Sequence, residues 1–189
     1  MRQIGAILRA VGALPTAPTR SRMCLRSGTY FDLVDPKPEM VNLEDIAHAL
    51  SMINRYGGHT CYHYSVAEHS VIMSYIVPPL FAKEALLHDA HEAFVGDMIA
   101  PLKALCPDYA ALEQRVGTVV AARFGLPQAM SPEVRHADRQ MVRLEQRFAM
   151  ENADAPWVDA TMPEARILNL CPHQAKAAFL SRANELGVK

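Results

Sequence analysis

The chain has no apolar stretch long enough to cross a membrane, no closely paired cysteines and no excess of either charge. Each absence removes a class of function. A membrane-spanning helix needs about 20 consecutive apolar residues, and none occur together. Cys24, Cys61, Cys106 and Cys171 are far apart and form no C-x-x-C pair, which excludes a zinc ribbon. In a chain of 189 residues they read as reduced thiols of a cytoplasmic protein, not as a disulfide framework. The formal net charge is −1 and the Arg and Lys residues are scattered. No nucleic-acid polymer is therefore expected as a partner, although a single nucleotide remains compatible. No G-x-S-x-G elbow, Walker loop or H-E-x-x-H helix is present, and neither is an internal repeat or a low-complexity tract.

Half of the residues are apolar, enough to build one full core. Ile4 to Leu14 is apolar, but Arg9 interrupts it, which argues for a lead segment and against a secretory signal. Residues 1–22, ending in a Pro- and Thr-rich linker, are read as that lead segment, and 23–189 as one domain. Met23 to Arg26 and Thr29 to Val34 read as short strands joined by a turn at Ser27-Gly28. Beyond Pro36 and Pro38 the pattern is helical, so the expected fold is all-α with a small N-terminal β-hairpin.

Helix boundaries follow from caps and breakers. Asn42 caps a helix over about 43–54. Ser65 caps the next, with Glu68 completing a capping box. After Pro78-Pro79 one helix carries His88-Asp89 and ends near Gly96. Pro101 opens a short helix, Asp108 caps one that ends at Gly125, Ser131-Pro132 opens a long one, and Pro172 begins the last.

His88 and Asp89 stand inside an otherwise apolar segment, followed one turn later by His91-Glu92. Burying that many ionisable groups is costly unless something pairs with them, and a divalent cation is an economical partner. With His69 and Asp138, also mid-helix, they form a candidate His, His, Asp, Asp ligand set. Glu92 lies four residues after His88, on the same helix face. His91 either supports a ligand from behind or faces solvent. His48, His136 and His173 read as ordinary surface imidazoles. Arg26, Tyr30 and Phe31 fit a hairpin packed on the domain better than one that covers a pocket.

These residues carry a resemblance. Glu68-His69-Ser70, then His88-Asp89-Ala90-His91-Glu92, then Gly96-Asp97 with Pro101 and Lys103, and finally Asp138, resemble the HD-domain metal phosphohydrolase superfamily. The match is nearest to its small 5'-deoxynucleotidase branch. It covers about residues 43–145 and is most specific over 65–103. Asn54-Arg55-Tyr56 is similar to the branch's Asn-Arg-Trp element, with Tyr56 in place of tryptophan.

The resemblance implies an HD-type helical bundle and a homo-oligomer, dimer or higher. It implies one divalent ion, such as Co, Mn or Zn, on His69, His88, Asp89 and Asp138. Glu92 would orient or deprotonate a water, and Asp97 would serve as acid, base or substrate anchor. Arg55 and Lys103 would neutralise phosphate, and Tyr56 would stack on a base or close the pocket. The implied reaction is hydrolysis of a deoxynucleoside 5'-phosphate to nucleoside and phosphate. Release of triphosphate from a dNTP such as dATP is the alternative, and a non-catalytic nucleotide-binding module a more distant one.

Overall fold

The computed structural model describes residues 21–152, 154 and 166–189; the lead segment therefore lies outside the described residues except for Ser21 and Arg22. The fold is mostly helical, with a two-stranded antiparallel hairpin near the N-terminus, as expected. Strands β1 (Arg22–Cys24) and β2 (Tyr30–Asp32) pair with Met23 opposite Phe31. Gly28, at φ 85°, makes the turn, since only glycine adopts that conformation without strain. Ser27 donates its amide and hydroxyl to Asp45, which ties the turn to the first helix. Phe31 is fully buried and stacks on Phe94, with ring centroids 4.0 Å apart. The hairpin is thus packed on the domain.

Eight α-helices follow among the described residues: α1 (Leu43–Met52), α2 (Val66–Ile76), α3 (Ala82–Leu87), α4 (Glu92–Val95), α5 (Ala100–Lys103), α6 (Pro107–Phe124), α7 (Pro132–Phe148) and α8 (Pro172–Glu185). Helix α2 is central and packs against α1, α3, α7 and α8. Every residue in it except Tyr75 is buried. A helix enclosed on all sides loses its polar face, so its Glu68, His69, Ser70 and Ser74 lie inside the molecule. Two apolar clusters flank it. One joins the hairpin to α1, α6 and α8, and the other joins α2 and α3 to α7.

Two helix boundaries and one cap differ from those read in the sequence. The Pro79–Gly96 stretch is not one helix. It is a 3-10 turn (Pro79–Phe81), then α3, a turn over His88–His91, and α4. The His88 ring takes the Ala85 carbonyl, and the following amides bond three residues back: Ala90 to Leu87, Glu92 to Asp89. That tighter winding displaces the His-Asp pair from a regular helix. The Ser65 cap is half of a capping box: its hydroxyl accepts the Glu68 amide, but the Glu68 carboxylate turns inward. There it accepts the amides of Leu168, Asn169 and Leu170 at 2.7, 2.8 and 3.0 Å, three donors in place of the single Ser65 amide of a capping box. Helix α6 starts two residues earlier than expected: Cys106 is the cap, Pro107 opens the helix, and Asp108 lies in the first turn, where its charge favours the helix dipole.

Among the described residues no helix is long and apolar enough to cross a membrane, and all four cysteines are free. Phe31→Ala is expected to lower unfolding free energy by about 3–5 kcal/mol, measured by urea denaturation. A loss below about 1 kcal/mol would mean that the hairpin is not part of the core.

Candidate metal centre

Four elements deliver the site. His69 comes from α2, His88 and Asp89 from the turn between α3 and α4, Asp138 from α7, and Arg55 and Tyr56 from the 3-10 turn Arg55–Gly58. The loop after α1 is held in shape by Asn54. Its side chain accepts the Tyr64 amide at 2.7 Å and donates to Thr60, while its backbone bridges to Ser65. Tyr56 has φ 57°, a left-handed conformation costing about 1–2 kcal/mol for a residue with a side chain. Gly57 shares it without that cost.

The four expected ligands converge. One nitrogen of His69, one of His88 and a carboxylate oxygen of Asp138 all lie within 4.8 Å of one another. Asp89 Oδ2 is 3.0 Å from His88 Nε2 and 3.8 Å from His69 Nε2. Asp138 Oδ1 is 3.4 Å from His69 Nε2.

Proton accounting decides what this cluster lacks. His88 Nδ1 is 2.7 Å from the Ala85 carbonyl, which can only accept, so this nitrogen carries a hydrogen. His69 Nδ1 is 2.6 Å from Glu145 Oε1 and likewise donates. In neutral rings both Nε2 atoms are then bare lone pairs, and they face each other at 3.3 Å. Two carboxylates add negative charge beside them. Four Lewis bases facing one another in this way call for a cation among them, either a metal ion or a proton. Two nitrogens bound to one tetrahedral or octahedral ion sit roughly 2.9–3.4 Å apart, given bonds of about 2.05 Å. The donor set therefore fits a divalent metal. Without one, the same field draws a proton: burial and Arg55 both press the His69 pKa down, yet Glu145 and Asp138 raise it to about 9. Burial acts to raise the pKa of Asp89 and of Asp138, and the facing histidines hold both below the ordinary range.

Glu145, on α7, was not singled out from the sequence, yet it organises the site. It is fully buried and accepts from Arg55 at 3.2 Å, Tyr64 at 2.8 Å, His69 at 2.6 Å and the Tyr56 hydroxyl. Burial works to raise its pKa, but Arg55, His69 and the donated hydrogen bonds hold it at about 2. A signal was available. Asp138 and Glu145 are seven residues apart on the stripe that buries Val134, Ala137, Met141 and Leu144. A carboxylate inside such a stripe needs partners.

The remaining expected residues lie as follows. Arg55 is buried, with one terminal nitrogen on Glu145 and the other 3.6 Å from Asp89. Tyr56 points at Glu145. Glu92 is buried and its Oε2 has no hydrogen-bond partner among the described residues. Burial first, then Asp89 and Asp97, push its pKa up. Asp97 is half-buried just beyond Gly96, and its pKa is also raised, by burial first. Lys103 is 2.7 Å from Glu113, and His91 Nε2 is 3.5 Å from the same carboxylate. His91 thus turns toward α6, neither to His88 nor to bulk solvent. His136 and His173 are exposed. A second group of potential ligands, His91, Glu92 and Glu113, adjoins the first, but the Lys103 ammonium already neutralises Glu113 there.

The Glu145 shift has a pH signature. A depressed folded pKa gives stability that is complete above the unfolded value of about 4.5. That stability is lost as pH falls toward about 2. Glu145→Gln is expected to lower the thermal midpoint at pH 7 and to flatten its fall between pH 5 and 2. Parallel midpoint curves for the two proteins would rule this out.

No family profile matches the chain. It is 40% identical over 161 residues to YfdR of Escherichia coli K12, an uncharacterized protein, covering 83% of this chain and 89% of YfdR. An uncharacterized protein of Rhodobacter capsulatus is 36% identical over 185 residues, covering 85% of this chain and 92% of that protein. The chain belongs to the family that includes these two bacterial proteins.

Proposed function

We propose that the chain is a metal-dependent phosphohydrolase of the HD-domain type, acting on deoxynucleoside 5'-monophosphates to release phosphate. The observation that carries this reading is the convergence of the His69 and His88 Nε2 atoms, 3.3 Å apart, with carboxylate oxygens of Asp89 and Asp138, while both Nδ1 atoms are committed to other partners. His69, His88, Asp89 and Asp138 would hold the ion. Once bound, a divalent ion supplies Lewis acidity toward a phosphate oxygen and lowers the pKa of a water.

The protein's own groups have distinct tasks in this reaction. The rings of His69 and His88 are locked in one tautomer by Glu145 and the Ala85 carbonyl, so their lone pairs are preorganised. Arg55 steadies Asp89 from behind and keeps Glu145 ionised. With its terminal nitrogens engaged in this way, Arg55 acts as a positioning residue, and Lys103 is the more exposed of the two cations. Glu92 and Asp97 are two carboxyls that repel each other in a partly desolvated site, an arrangement suited to holding and passing a proton. Glu92, buried with one oxygen unpartnered, is the better placed to carry it.

Two measurements test this. Purified protein loaded in turn with Co, Mn, Zn and Mg is assayed on a nucleotide panel for phosphate, pyrophosphate and triphosphate. Orthophosphate from monophosphates is expected; inorganic triphosphate from a dNTP would assign the alternative bond instead. His88→Ala and Asp89→Ala are expected to lose at least about 100-fold in activity, together with bound metal by elemental analysis. Undiminished phosphate release in either variant sinks the metal-hydrolase reading.

A further inference from the structure

A cavity of about 350 Å³ opens beside His88, between the α3–α4 turn and α6. Its size is at the lower end of small-molecule sites, roughly 300–1,000 Å³. Its floor is apolar: Leu87 and Val120 are buried there, with Met130 on one side. Its rim carries Gln114 and Gln128, both exposed. Neither side-chain amide forms a hydrogen bond among the described residues. His88 forms part of the wall, so the cavity touches the metal centre.

Charge narrows the occupant. The lining includes Glu84 and Glu113 and no Arg or Lys. Glu84 is held by the Ser131 amide and hydroxyl, and Glu113 by Lys103. A phosphate chain lying here would meet carboxylates and no lining cation. A flat, uncharged group with polar edges meets an apolar floor and two free amides, each offering a donor and an acceptor.

Gly117 is the second observation. It sits in the middle of the 18-residue helix α6 and lines the cavity. Glycine is the poorest helix residue after proline. Protein packing does not demand it: a Cβ built there would meet only His91 Cγ, at 3.9 Å, an ordinary contact. Its backbone is not left-handed either. What the missing side chain leaves is room in the cavity.

We propose that this cavity is the nucleoside pocket of the site, with the base lying against Gly117 and its edge read by Gln114 and Gln128. The inference rests on the nucleotide reading above, and it favours a monophosphate, whose single phosphate reaches the metal centre past His88. The test is titration of the full-length protein, by NMR or calorimetry, with deoxyadenosine, deoxyguanosine, deoxycytidine and thymidine. These probes carry no phosphate and need no turnover. Binding of at least one is expected. Gly117→Ala is expected to raise the thermal midpoint, since alanine suits a helix better, while weakening that binding about ten-fold. Gln114→Leu and Gln128→Leu should change which base is preferred. Failure of every nucleoside to bind, or binding that Gly117→Ala leaves unchanged, overturns the pocket. Nucleoside binding sensitive to Gly117→Ala, in a protein that releases no phosphate from any nucleotide, upholds the pocket and overturns the hydrolase.

Discussion

A carboxylate with no access to water holds the site together. Glu145 takes donors from Arg55, Tyr56, Tyr64 and His69, and these come from two different parts of the chain. An isolated buried charge costs several kcal/mol, so each donor is drawn inward to offset it. The loop after α1 is thereby fastened to α7, and the His69 ring is fixed so that its Nε2 points away from Glu145 toward His88. The strained backbone at Tyr56 is compensated in the same place, because its hydroxyl reaches the shared acceptor. Remove the carboxylate and a buried guanidinium, two phenols and an imidazole lose their common partner.

The second constraint is the enclosure of α2. Surrounded by helices, it has no solvent face on which to put polar residues. Glu68, His69 and Ser74 therefore find partners inside the molecule or serve the site, while the buried Ser70 hydroxyl has no hydrogen-bond partner among the described residues. Glu68 gathers the backbone of residues 168–170, joining the C-terminal segment to the middle of the domain. Ser74 accepts from Arg182 of α8. His69 turns to Glu145 on one side and to the His-Asp cluster on the other. One helix thus links the C-terminal helix to the candidate metal centre, and apolar clusters pack on either side of it.

Much of this was legible from local chemistry. Asn42, Gly125, Ser131 and Pro172 mark helix ends where the sequence places them, because capping and φ restriction act within a few residues. The hairpin turn at Ser27-Gly28 is local for the same reason. The break at His88 was not legible. An apolar pattern of period 3.6 is equally compatible with a continuous helix and with one tightened by a side chain taking a backbone carbonyl. Glu68 shows the same limit: its position satisfies a capping box, but the competing amides are a hundred residues away. Arg55 carried a sequence expectation of phosphate contact, whereas in the fold its terminal nitrogens meet Asp89 and Glu145, two acceptors that no spacing rule connects to it.

The sequence by itself determined the helical class, the hairpin, most helix ends and the four residues that gather as potential metal ligands. Periodicity, caps and the cost of buried ionisable groups are properties of residues and their near neighbours. Tertiary structure alone decided the orientation of the His69 and His88 lone pairs, the role of Glu145 as common acceptor, the inward turn of Arg55 and the cavity beside Gly117. Each of these depends on atoms brought together from distant parts of the chain, where hydrogen-bond direction and excluded water decide which partner a polar group takes.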